Sequence, residues 1–122
     1  MSTVASARYL GTTGRHLAES SRAGRWWAML DPRVMFPRRG VLSLFGNRIV
    51  LDEWEPHASV TVYAREVESV GISPTMGGVR PIVLRYRNGE TLYLLVNRRW
   101  LPKGDDNVEW LALLGDWLGG SD

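Results

Sequence analysis

Apolar and polar residues alternate along the stretch GVLSLFGNRIVLDEW, residues 40–54, and only Gly46-Asn47 breaks the alternation. A period of two residues is typical of β-strands with one buried face, and a glycine followed by a second turn residue suits a two-residue hairpin loop. This turn pairs apolar residues across the two strands, Leu42 with Leu51 and Leu44 with Ile49. A shift of one residue would bury Arg48 and Asp52, so the pattern predicts the register.

The two segments that follow also have the residue types and spacing of strands. In ASVTVYAREVESVGI, the pattern predicts a strand over residues 59–63, a break over 64–66 and a second strand over 67–72. A loop, SPTMGG, follows, and its proline and glycines are typical of a connection between strands.

The stretch RPIVLRYRNGETLYLLV predicts a second hairpin, because Asn88-Gly89 suits the positive φ angles of a type I′ turn. A two-residue turn at this position would pair residues on either side of it, Arg87 with Glu90, Tyr86 with Thr91, Leu84 with Tyr93 and Ile82 with Leu95. In that register Leu92 and Leu94 lie beside Arg85 on the second face of the sheet, so this face would also need cover.

The C-terminal segment DDNVEWLALLGDWLGG has the features of an amphipathic helix. Asp106 and Glu109 have capping-box spacing, and Gly119-Gly120 provides a stop. One apolar stripe recurs at helical spacing, consisting of Trp110, Leu111, Leu114, Trp117 and Leu118. This stripe predicts a helix packed on the sheet, with Gly115 allowing a close approach.

The first 24 residues are small, polar and dotted with arginine, and their hydrophobic periodicity is weak. They predict an N-terminal arm, either flexible or docked, with a short helix over residues 15–22. The segment RWWAML, residues 25–30, predicts the first strand, and the proline-flanked loop DPRVMFPRR follows it. The expected division is therefore an arm over residues 1–24 and one domain over 25–122.

The order of these elements resembles the pleckstrin-homology-like superfamily, in particular its bacterial PH-like and GRAM-type domains. The likeness rests on GVLSLFGNRIVL, VYAREVESVGI and RNGETLYLLV followed by the Trp/Leu helix, and it covers residues 25–118. The resemblance implies a mainly β fold. We expect about seven strands in a bent antiparallel sheet, or partly open barrel, that one C-terminal α-helix caps.

The composition indicates the class of protein and the cellular compartment. The chain of 122 residues is 44% hydrophobic and 23% charged, as expected of one globular domain. It has no cysteine and no apolar run long enough to span a bilayer. These features predict a cytoplasmic protein, either free or held peripherally at the membrane.

No residue pattern predicts an enzyme, a cofactor or a metal site. The histidines are His16 and His57, and a metal site at His57 would need Asp52 or Glu55 to converge on it. Nucleic acid is not expected either. Strand alternation sends Tyr86 to the face opposite its arginine neighbours, whereas a stacking platform needs aromatic and basic side chains on one face.

Aromatic and apolar residues in excess of what one helix can cover favour a protein interface. Phe45, Val50, Leu92 and Leu94 are expected to add to this surplus. The residues predicted to contact a partner are Trp26, Trp27, Phe45, Arg98, Arg99 and Trp100. The leading hypothesis is therefore a non-catalytic adaptor that binds a protein partner, including a second copy of itself.

The alternative hypothesis is attachment to an anionic membrane surface. Residues 1–40 carry seven arginines against Glu19 and Asp31, and a basic segment attracts anionic lipid head groups. The candidate anion-binding residues are Arg33, Arg38, Arg39 and Arg48. A small-ligand-binding barrel or an enzyme is the less favoured third hypothesis.

Overall fold

The computed structural model describes residues 4–22, 36–75, 79–97 and 104–119 of the chain. Seven strands run through this part, namely β1 Ala5–Thr13, β2 Arg38–Leu44, β3 Arg48–Glu55, β4 Ala58–Tyr63, β5 Val67–Ile72, β6 Ile82–Tyr86 and β7 Thr91–Val96. The helices are α1 Gly14–Arg22 and α2 Asn107–Gly119, with a short 3-10 helix at Ala64–Glu66.

All seven strands form one antiparallel sheet in the order β4-β3-β2-β1-β7-β6-β5. The edge strands β4 and β5 are consecutive in the sequence, and three residues join them. Such a link spans at most roughly 14 Å, whereas seven strands in a flat sheet would span about 29 Å. The sheet therefore curls into a half-barrel of 216°. The predicted mainly β fold with one C-terminal helix is confirmed.

The β2–β3 hairpin has the predicted register. Leu42 pairs with Leu51, Leu44 pairs with Ile49, and all four side chains are buried on the concave face. The Phe45 amide donates to the Arg48 carbonyl at 2.8 Å and closes the two-residue turn. The strand, break and strand predicted over residues 59–72 also match β4, the 3-10 helix and β5 within one residue.

The predicted register of the β6–β7 hairpin is wrong by one residue. Leu84 pairs with Leu92 and Ile82 with Leu94, because the loop contains three residues, 87–89, and not two. Tyr86 donates to Glu90 at 2.9 Å across this loop, and Gly89 takes the positive φ of 92° that a three-residue loop needs at its last position.

This register reverses the predicted faces of β7. Leu92 and Leu94 are buried on the concave face, at 3% and 0% exposure, and lie opposite the inward side chains of β6. They therefore add nothing to an exposed apolar surface. The expectation that they contribute to a protein interface is withdrawn.

The N-terminal segment provides the central strand of the sheet, which the sequence pattern did not predict. β1 pairs with β2 on one side and β7 on the other. The predicted helix over residues 15–22 is confirmed as α1, whereas the strand expected over 25–30 lies outside the described residues. On its concave face, β1 has a glycine at position 11, because the Trp54 ring of β3 occupies the space that a side chain would need. A Cβ on Gly11 would lie 2.6 Å from that ring.

The sheet has a core on each face. On the concave face, α2 packs against β5 and β7 and buries Trp110, Leu114 and Trp117, as predicted. On the convex face, α1 contacts β1 and β7 beside a smaller cluster around Phe36, Val79 and Leu95. No helix in the described ranges is both long and apolar enough to span a bilayer.

The expected role of Gly115 is wrong. Gly115 is exposed, and a Cβ built on it meets no atom within 4 Å. The helix does not need this glycine to approach the sheet, because its packed face is formed by the tryptophan and leucine side chains.

Candidate functional site

The two edges of the half-barrel are protected to different degrees. At β5, the strand carries Glu68, its pairing with β6 is interrupted by a bulge between Val67 and Ser69, and α2 packs against it. Charges, bulges and a covering helix are the usual means of protecting a sheet edge. The pairing of β4 with β3 also shifts register, between Leu51 and Glu55, but the sequence of β4 is ASVTVY, with neither a charge nor a proline. Among the described residues, no strand pairs with its outer side.

The hydrogen-bond pattern shows which main-chain groups of β4 point away from the sheet. The Ala64 amide donates to the Asn47 carbonyl at 3.0 Å, and bonded pairs recur at every second residue of an antiparallel ladder. Val60, which pairs with Leu51, and Val62, which pairs with Ile49, therefore bond to β3. The N–H and C=O groups of Ser59, Thr61 and Tyr63 point outward.

The outward groups of Tyr63 are partly engaged within the chain. Its amide donates to a Glu66 carboxylate oxygen at 3.4 Å, and the Arg65 guanidinium lies 4.5 Å from its ring centroid. The free part of the edge is therefore centred on Ser59 and Thr61, whose side chains are exposed. We name Ala58–Tyr63, with these outward main-chain groups, the β4 edge. Its geometry can accept an extended chain by adding one more strand.

A cleft of about 650 Å³ opens at one end of the concave face. Apolar side chains from both halves of the sheet line it, among them Trp54, Val60 and Leu92, and Tyr86 adds a hydroxyl. Burial raises the pKa of Tyr86 to about 12, with smaller contributions from Glu66 and Glu90. The phenol is therefore neutral at ordinary pH and can donate a hydrogen bond.

The predicted anion-binding arginines do not form one cluster in the described part of the chain. Arg38 lies 3.5 Å from a Glu55 carboxylate oxygen, and Arg39 lies beside it at a shallow cleft of about 430 Å³ that also contains Glu53. Arg48 begins β3, at the opposite end of the hairpin from Glu55. Arg33 lies outside the described residues.

Of the predicted interface residues, the structure describes Phe45 alone. Its ring lies 4.4 Å below the Arg48 guanidinium, and its carbonyl accepts a hydrogen bond from Trp117. These contacts hold the hairpin turn and the end of α2 together. The other five residues, Trp26, Trp27, Arg98, Arg99 and Trp100, lie outside the described ranges.

Within the described ranges, no three acidic or histidine side chains are placed to hold a metal ion. His57 lies in the β3–β4 turn with a positive φ of 62°, and its side chain is exposed.

Sequence reasoning missed the β4 edge, although one signal was present. The run ASVTVY has no charge and no proline, as is typical of an interior strand or an open edge. Only the strand order shows that it lies at an edge.

The sequence matches no protein-family model, and no curated protein matches it either.

Proposed function

We propose that this chain is a non-catalytic binding module that holds a protein partner by strand addition at the β4 edge. The observation that carries the proposal is the pair of exposed residues Ser59 and Thr61, whose main-chain N–H and C=O groups point away from the sheet. Main-chain hydrogen bonds give such complexes their affinity, while alternate side chains give specificity.

The resemblance to pleckstrin-homology-like domains supports a binding role. The superfold is reused for many partners, so the likeness does not identify the partner. The lack of cysteine favours a reducing compartment, and we place the protein in the cytoplasm on that basis.

Site-specific photo-crosslinking in cells tests the proposal. A benzophenone amino acid at Ser59, on the β4 edge, should give a discrete protein adduct that mass spectrometry can identify. The matched control is the same amino acid at Asp116, an exposed position on α2, which should give no such adduct. Absence of an adduct specific to Ser59 would refute strand addition at this edge.

A second candidate function is the binding of a small amphipathic ligand in the concave cleft. Its volume of about 650 Å³ lies within the usual range for ligand sites, and Arg15 and Glu90, which both line it, form an exposed ion pair at 3.4 Å. Anilinonaphthalenesulfonate serves as a probe, since its aromatic body and anionic group match this lining. Leu92→Arg should abolish its fluorescence enhancement, whereas Val41→Arg, at an exposed position, should not.

Attachment to an anionic membrane is supported less well by the described residues. Glu55 pairs with Arg38, Glu53 shares the cleft with Arg39, and Arg48 is far from both. The remaining exposed cation at this cleft is Arg39, and one arginine contributes about 1 kcal/mol to attraction by an anionic surface. We therefore expect negligible sedimentation with phosphatidylserine vesicles at physiological salt. Strong, salt-sensitive sedimentation that Arg39→Ala abolishes would favour the membrane hypothesis instead.

A further inference from the structure

We infer that the partner at the β4 edge is a second copy of this chain, whose own β4 strand pairs with it antiparallel about a two-fold axis beside Thr61. The inference rests on the proposed function and specifies its partner. It predicts a symmetric dimer in which the sheet continues from one copy into the next.

The side-chain pattern of β4 is symmetric about Thr61. Val60 and Val62 flank it, and both lie on the concave side, half-buried and buried respectively. Ser59 and Tyr63 lie one step further out on the convex side. When two such strands pair antiparallel about Thr61, each Val60 faces a Val62 of the second copy, and each Ser59 faces a Tyr63. Apolar residues thus meet apolar ones on one face, and Thr61 meets Thr61 on the other, a favourable cross-strand pair.

The outward main-chain groups fit the same register. Thr61 would face Thr61 of the second copy as a hydrogen-bonded pair, and Ser59 would face Tyr63 in the same way, because outward groups occur at every second residue. The Ser59 and Thr61 amides of each copy supply the donors. The Tyr63 amide can remain bonded to Glu66, since its carbonyl is sufficient to accept from Ser59.

Charge does not oppose a second copy. The strand itself is uncharged, so self-pairing brings no like charges together within it. Beyond its ends, antiparallel pairing brings Arg65 and Glu66 of one copy towards Glu55 of the other, so one attractive and one repulsive pair offset each other. The symmetric side-chain pattern of β4, rather than charge, selects a second copy.

Charge-swapped variants test the register itself. Thr61→Lys and Thr61→Glu each place like charges face to face at the axis, so each variant alone should sediment at the monomer mass of 13.8 kDa. An equimolar mixture should restore the dimer at twice that mass. The matched control is Ser69→Lys, the same substitution type on the covered β5 edge, which should leave the dimer intact. Sedimentation at about 100 μM detects a Kd in the micromolar range.

A proline at the same position gives an independent test. Thr61→Pro removes one outward amide and leaves the bonds of Val60 and Val62 to β3, because a proline is tolerated where an edge strand has no partner for its N–H. We expect this variant to keep the circular dichroism spectrum of the folded chain and to sediment as a monomer. Thr61→Val keeps the amide and should remain dimeric.

A monomeric wild-type protein at this concentration would overturn the inference, as would a dimer that survives all three Thr61 charge and proline substitutions. These outcomes are separable from failure of the proposed function. A monomeric chain that still gives a crosslink from Ser59 to a different protein keeps strand addition and rejects self-pairing.

Discussion

The indole nitrogen of Trp117 donates a hydrogen bond to the main-chain carbonyl of Phe45 at 2.9 Å. Trp117 lies on α2, which packs against β5 and β7, while Phe45 lies in the turn between β2 and β3. The bond therefore links the two halves of the curled sheet across its open side. The helix restrains the curvature as well as covering the core.

Trp117→Phe should destabilise the fold by about 1–3 kcal/mol, because it leaves the Phe45 carbonyl without its indole donor. Trp110→Phe is the control. Trp110 is buried to the same extent as Trp117, with 7% exposure for each. Its indole, however, donates no hydrogen bond to any residue that the structure describes. Urea unfolding measures both variants, and equal losses would show that ring volume alone determines the effect.

Asn107→Ala should be among the most damaging polar substitutions. The Asn107 side chain is 1% exposed, accepts from the Val96 amide at 2.7 Å and donates to the Arg80 carbonyl at 2.9 Å. Its removal leaves two groups unpaired at about 1–3 kcal/mol each. Val108→Ala, at an exposed neighbouring position, should change the free energy of unfolding by less than about 0.5 kcal/mol. Comparable losses would contradict the role of these two bonds.

Gly40→Ala and Gly71→Ala should differ strongly although both glycines lie in strands. A Cβ on Gly40 would collide with the Asp52 carbonyl of β3, whereas Gly71 has open space around it. We expect a loss of several kcal/mol, or failure to fold, for Gly40→Ala. Gly71→Ala should be neutral or stabilising by up to about 1 kcal/mol. Thermal unfolding distinguishes the two, and tolerance of Gly40→Ala would show that β3 shifts to make room for the methyl group.

Gly115→Ala should stabilise the protein by about 1 kcal/mol, since the added methyl group meets no atom within 4 Å and alanine favours the helix. The reverse change at an exposed helical position, Ala112→Gly, should destabilise by a similar amount. Denaturant midpoints at constant slope report both effects. A destabilising Gly115→Ala would mean that another chain contacts this face of α2.

Stability should fall as the pH rises from about 10 to about 12. Burial raises the pKa of Tyr9 to about 12, with Asp52 and Glu53 adding to the effect. Tyr86 is shifted to a similar value, mainly by burial. In this window the unfolded chain has lost the phenolic protons that the folded chain still holds, so unfolding becomes more favourable.

Tyr9→Phe should make this alkaline loss of stability shallower. It should also lower stability at neutral pH, because the Tyr9 hydroxyl donates to the Asp52 carbonyl at 2.7 Å. Tyrosinate absorbance and the free energy of unfolding, each measured against pH, check the two parts. An unchanged alkaline slope would contradict the shifted pKa of Tyr9.

The sequence was sufficient to predict elements whose pairing is local. The β2–β3 register follows from a short turn and four large apolar residues, and α2 follows from its Trp/Leu stripe. The β6–β7 register was missed because Asn-Gly suits a two-residue loop and can also end a three-residue one. In the fold, Asn88 accepts a hydrogen bond from the Glu90 amide at 2.9 Å and helps to hold the longer form.

Elements that depend on distant contacts could not be predicted. On the concave face of β1, Gly11 has no side chain because Trp54 fills the adjoining space. Hydrophobic periodicity therefore does not indicate that β1 is a central strand. Without β1, the strand order remains undetermined, and so does the identity of the free edge. The β4 edge could therefore be recognised only once the whole sheet was assembled.

The position of β1 at the centre of the sheet has a consequence for biosynthesis. Of the seven strands in the described ranges, β1 leaves the ribosome first, yet one of its two neighbours, β7, is translated last. During most of elongation, the nascent polypeptide exposes one side of β1 to chaperones or to neighbouring chains on the polysome. The complete sheet can close only after Val96 has emerged from the exit tunnel.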